Sequence, residues 1–143
     1  MVLRRELTIR GLTILVAIVL LALPARAGTT ADNDAIHRGP CTTEAAGWKV
    51  TFDIAPKPVR HMTDLTFTVT IQPSAALPST LVLDLGMPGM YMGNNRITLE
   101  KTGEGTWQGK GVIVRCMSGR KLWQATILSS ILGNPSFTFN ARD

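Results

Sequence analysis

Seven separate stretches of this 143-residue chain alternate apolar and polar side chains with a period of two. That rhythm suits extended strands with one face buried, not helices. WKVTFDI (48–54) puts Trp48, Val50, Phe52 and Ile54 on one face, and LTFTVTI (65–71) puts Leu65, Phe67, Val69 and Ile71 there with three threonines outward. STLVLDL (79–85) aligns Leu81, Leu83 and Leu85, and RITLE (96–100) adds Ile97 and Leu99. TWQGKGVIVRC (106–116) offers Val112, Val114 and Cys116, KLWQATI (121–127) offers Trp123, Ala125 and Ile127, and SFTFN (136–140) offers Phe137 and Phe139. The segments between them, APKP, QPSAALP, GMPGMYMGNN, KTGEG, MSGR and LGNP, are turn chemistry. Seven short strands in roughly 100 residues predict an all-β fold, an antiparallel immunoglobulin-like β-sandwich. Trp48, Trp107 and Trp123 fall at strand parity and are expected in the core.

The N-terminus has a different character. Arg4, Arg5 and Arg10 precede an unbroken apolar run at 12–23, and Pro24-Ala25-Arg26-Ala27 follows. This is the layout of a secretory signal peptide with cleavage after Ala27. The run falls short of the roughly 20 residues that span a bilayer as a helix. The expectation is an exported, periplasmic protein; the alternative is a domain anchored by an uncleaved N-terminal segment. The predicted organisation is a signal peptide at 1–27, a flexible lead-in of small and polar residues at 28–47, and the β-domain at 48–143. Removing Arg4, Arg5, Arg10, Arg26 and Glu6 leaves 11 basic and 9 acidic residues. The exported form is therefore close to neutral, and no basic cluster suggests nucleic acid as a partner.

Residues 86–95, GMPGMYMGNN, gather three of the five methionines that follow residue 27. Met87 continues the inward parity of Leu81, Leu83 and Leu85. Pro88-Gly89 fits the central positions of a type II turn, which brings Met87 and Met90 within about 7 Å between Cα atoms. Beyond the turn, Met90 and Met92 share a direction and Tyr91 takes the opposite one, to pack on a neighbouring strand. Thioethers are soft, neutral ligands that suit Cu(I) and do not suit zinc. Met87, Met90 and Met92 are therefore candidate copper ligands, with His61 and Met62 at the mouth of the second strand as additions. The competing reading is packing, since methionine fills irregular cores. His37 lies in the lead-in and is a weaker candidate.

Cys41 and Cys116 are the only cysteines. An even count in an exported protein predicts a Cys41–Cys116 disulfide that pins the lead-in to the sheet. The rival is a reduced Cys116, next to Met117, that supplies a thiolate to the metal.

Together, Met-Pro-Gly-Met-Tyr-Met-Gly (87–93), Gly-Thr-Trp-Gln-Gly (105–109) and Leu-Trp-Gln-Ala-Thr-Ile (122–127) resemble the YtkA-like and FixH-like exported domains, over roughly 48–128. The resemblance implies a small β-sandwich outside the cytoplasmic membrane, with links to copper handling or oxidase maturation. It touches Met87, Met90 and Met92 directly. FixH-like proteins keep a membrane anchor, and this chain departs from them in that respect and in its two cysteines and few histidines.

Enzymatic chemistry finds little material. His37 and His61 are the only histidines, and no H-E-x-x-H or Walker loop occurs. Gly103 to Gly109 nearly spells a dinucleotide-binding fingerprint, but the last glycine falls one place late and a strand follows, not a helix. Asp84 has no neighbouring carboxylate in sequence and reads as a surface residue. The expectation is a non-enzyme with no evident small-molecule substrate. It would bind Cu(I) through the methionine loop and pass it to an exported or membrane protein. The alternative is a metal-free interaction module that uses the same loop as a contact surface.

Overall fold

The computed structural model describes residues 31–74 and 76–143. The signal peptide expected at 1–27 lies outside the described residues. From Ala31 to Asp143 the chain forms one compact unit. A short 3₁₀ turn, Ala35–His37, precedes eight strands: β1 (Cys41–Ala45), β2 (Trp48–Ala55), β3 (Asp64–Gln72), β4 (Thr80–Gly86), β5 (Arg96–Gly103), β6 (Thr106–Val112), β7 (Leu122–Leu128) and β8 (Ser136–Asn140). All pair antiparallel in a single sheet of order β1-β2-β3-β6-β5-β4-β7-β8, which curls until it nearly closes.

Seven of these strands are the seven alternating stretches. The eighth, β1, falls where a flexible lead-in was expected. Its Cys41 to Ala45 pair with Phe52 to Trp48 across a tight turn at Ala46-Gly47. β1 never buries a residue fully, so its sequence lacks the apolar alternation that marks the others.

The core is formed by the inward residues of β2, β3, β4 and β7, nearly inaccessible apart from Trp48, and by those of β8, whose Phe137 packs on Phe52 with ring centroids 5.1 Å apart. Trp107 and Trp123 are buried as expected, while Trp48 is only half-buried at the core's margin. β6 departs from the sequence reading. Val112 and Val114 are exposed, and Trp107 and Ile113 face inward. The inward positions between those two are Gly109 and Gly111, and Ile97 of β5 packs into the space they leave. Two glycines on the buried face hide the apolar alternation, and the strand ends at Val112, which breaks parity before Cys116.

The registers Asp64↔Val112, Asp84↔Arg96, Gly86↔Gln124 and Leu122↔Asn140 bring the β2–β3, β4–β5 and β6–β7 loops to one end of the sheet. The methionine turn lies there, and so does the start of the described chain. Asn33 accepts from the Asn140 backbone, and Lys57 donates to the Ile36 carbonyl.

Candidate metal centre

The turn at 87–90 forms as its residues dictate. Gly89 takes a positive φ of 75°, and the Met90 amide donates to the Met87 carbonyl at 3.1 Å. Met87 continues β4 inward and is buried. Met90 and Met92 are half-buried against the core, and Tyr91 between them is almost fully exposed. The alternation of 90, 91 and 92 is as expected, but Tyr91 packs on no strand. The segment then folds back: the Asn95 side chain donates to the Met92 carbonyl, and the Leu85 amide donates to the Asn95 carbonyl.

Cys116 reaches this turn from the β6–β7 loop. Its Sγ lies 3.8 Å from Met90 Sδ and 3.0 Å from Ser118 Oγ. Ser118 bonds the sulfur through its hydroxyl and its backbone, and this holds the thiol below its ordinary pKa against the opposing effect of burial. The Arg120 backbone and charge add to the lowering. The expected disulfide is absent: Cys41 and Cys116 are both free. Cys41 sits on the edge strand β1 opposite Phe52, while Cys116 follows β6, three strands along the sheet. Strands lie about 4.8 Å apart, and a disulfide needs Cα atoms within about 7 Å. Burial pushes the Cys41 thiol up, with Lys57 opposing.

His61 occupies a different niche at the same end. Its side chain is almost wholly covered. The Trp123 indole N–H donates to its Nε2 at 3.2 Å. An indole can only donate, so Nε2 presents its lone pair to Trp123, and the neutral ring carries its proton on Nδ1. Nδ1 faces Asp143 Oδ1 at 3.4 Å without hydrogen-bond geometry. As placed, neither ring nitrogen has a free lone pair to offer the methionine turn. Met62 is exposed, and its amide is tied to the Ile113 carbonyl. The fold thus brings Cys116 Sγ to Met90, which the turn ties by its backbone to Met87, packs Met92 half-buried against the core, and leaves His61 and Met62 to other contacts. His37 is likewise engaged, with Asn140 and Val59.

Asp143 links the β2–β3 and β6–β7 loops. Its carboxylate meets Lys121 at 2.9 Å and Arg115 at 3.4 Å. Lys121, then Arg115, with His61 adding, hold it below the usual carboxylate range, with desolvation opposing. The sequence reading did not single out this residue, and no local signal marks it: its partners come from two distant loops.

Among the described residues, no three His, Cys, Asp or Glu side chains cluster in a way that could hold a metal ion. Comparison with known proteins finds no matching family model, no matching curated protein and no matching solved structure.

Proposed function

We propose that this protein is an exported, periplasmic Cu(I)-binding domain that holds the ion through Met87, Met90 and Met92 with the thiolate of Cys116, and hands it to an exported or membrane protein. The reading is carried by one observation, the 3.8 Å separation of Cys116 Sγ and Met90 Sδ. Two sulfurs bonded at about 2.3 Å to one ion, with a near-tetrahedral angle, stand about 3.8 Å apart. The donor chemistry fits Cu(I), which prefers thiolate and thioether sulfur. A thiolate in place of an all-thioether set adds one negative charge beside the cation, and the lowered thiol pKa eases its deprotonation. His61 and Met62 remain outer candidates that would need to turn toward the site.

We also propose that the curled sheet is an immunoglobulin-like sandwich. The order β2-β3-β6-β5-β4-β7-β8 follows the A-B-E-D and C-F-G strands of an immunoglobulin-like sandwich, joined along β5–β4, with β1 added at one edge.

The test is competition for Cu(I) against a chromogenic chelator under anaerobic reducing conditions. The wild type takes copper from the chelator. Cys116→Ser weakens uptake by more than the roughly tenfold that loss of a partner outside the ligand set costs, and Met87/Met90/Met92→Leu abolishes it. Equal uptake by the triple variant and the wild type would sink the proposal. The metal-free interaction reading is favoured by one separate fact: Met62, Tyr91 and Met117 stand exposed around the same end.

A further inference from the structure

Charge and exposed apolar side chains are both concentrated at the methionine end. The three loops there, 56–63, 87–95 and 113–121, contain Lys57, Arg60, Arg115, Arg120 and Lys121 and no acidic residue. The loops at the other end, 46–47, 73–79, 104–105 and 129–135, contain no basic residue and one acidic residue, Glu104. Some of the cations are countered from neighbouring elements: Lys57 pairs with Asp53, and Arg115 and Lys121 with Asp143. Arg60 donates to the main-chain oxygen of Asp143, the residue that also meets Arg115 and Lys121, and Arg120 has no ion pair among the described residues.

Each of the three loops also lifts a large apolar side chain well into solvent: Met62 is 66% exposed, Tyr91 91% and Met117 104%, with Val114 partly exposed at the start of Met117's loop. At such exposures the side chains stand clear of the surface and do not form a flat patch. Protruding apolar tips suit a soft, deformable medium, and a tyrosine flanked by cations suits the headgroup level of a bilayer. The described chain also enters the domain at this end, through Asn33, Ile36 and His37.

We infer that the end bearing Met62, Tyr91 and Met117 docks on an anionic phospholipid surface, with the unpaired Arg120 over the headgroups and the three apolar tips in the interface. Each Lys or Arg near such a surface contributes about 1 kcal/mol, or about fivefold in partitioning. The sulfur cluster would then face the bilayer, where a membrane-embedded metal partner could meet it, but the docking requires no metal.

The test is co-sedimentation, without copper, of the protein from residue 28 onward, which contains the whole compact unit Ala31–Asp143. The vesicles are phosphatidylethanolamine with phosphatidylglycerol, and phosphatidylcholine alone. The protein is expected to pellet with the anionic vesicles and not with phosphatidylcholine. Arg120→Ser should lower partitioning about fivefold, and adding Tyr91→Ser and Met117→Ser should lower it further. All three residues are exposed, so an unchanged melting temperature verifies the fold of each variant. Wild-type protein left in the supernatant with both vesicles overturns the inference and leaves these loops to an acidic protein partner. Equal pelleting of wild type and triple variant also overturns it. Neither outcome touches the copper proposal, which is read by a different titration.

Discussion

The two histidine side chains are almost wholly covered, and their partners fix where each carries its proton. His37 gives its Nε2–H to the Asn140 carbonyl at 2.8 Å and takes the Val59 amide on Nδ1 at 3.1 Å, so both ring nitrogens are spent. His61 has the opposite tautomer, with Nε2 accepting from Trp123 and Nδ1 turned toward Asp143. Asp143 therefore links His61, Arg115 and Lys121, and its depressed pKa has a consequence for stability. A carboxyl that ionises more readily in the folded state than in the unfolded chain stabilises the fold above the unfolded value, about 3.9 for aspartate, and that contribution disappears as pH falls through the lower folded value. Asp143→Asn should therefore be less stable than the wild type at neutral pH. The gap should close as pH falls through the range just below about 4, and it should narrow with added salt, because the pairs are exposed. Urea titrations at a series of pH values read this directly; a gap that stays constant with pH contradicts it.

At the scale of elements, the contact between β5 and β6 depends on two absent side chains. A Cβ at Gly109 would lie 2.5 Å from the Thr98 carbonyl oxygen and 2.8 Å from Leu99 Cδ2, and one at Gly111 would lie 2.4 Å from Ile97 Cδ1. The obstacle at Gly109 includes backbone, which cannot swing aside. Gly109→Ala should therefore push β5 outward and cost about 1–3 kcal/mol in urea unfolding. Gly111→Ala should cost less, since the end of the Ile97 side chain can rotate. Equal, negligible losses at both sites would show that the sheet yields freely here. The same glycines explain what the sequence concealed. Strands β2, β3, β4, β7 and β8 were legible because every inward position is apolar. In β6, glycine replaces two of those positions, and Ile97 supplies the missing volume from the next strand. β1 was illegible for another reason: an edge strand with no fully buried residue has no pattern to read. The turn of the candidate site was legible, because proline and glycine dictate it locally. The meeting of Cys116 with Met90 depends on β4 and β6 ending at the same end of the sheet, and no residue near either one encodes that.

The whole molecule is a single sheet whose outermost strands, β1 and β8, are not paired with each other. The segment before β1 spans the seam. Asn33 takes the Asn140 amide on its backbone carbonyl and the Thr138 hydroxyl on its side-chain oxygen, both from β8. Three residues on, the Ile36 carbonyl accepts from Lys57, and His37 joins Val59 to Asn140. Residues 33–37 thus bond β8 on one side and the β2–β3 loop on the other, and Ile36 plugs the end of the core with 1% of its surface exposed. A side chain that only decorated a lead-in would cost nothing to truncate. One that closes the core should leave a cavity, because the hydrogen bonds around it hold the backbone in place and prevent collapse. Ile36→Ala should accordingly lose about 2–5 kcal/mol in urea unfolding, comparable to the same truncation in the middle of a strand such as Ile54 of β2. A loss below about 0.5 kcal/mol, the range of ordinary surface changes, would mean that the seam is held by the sheet alone and that the domain begins at β1.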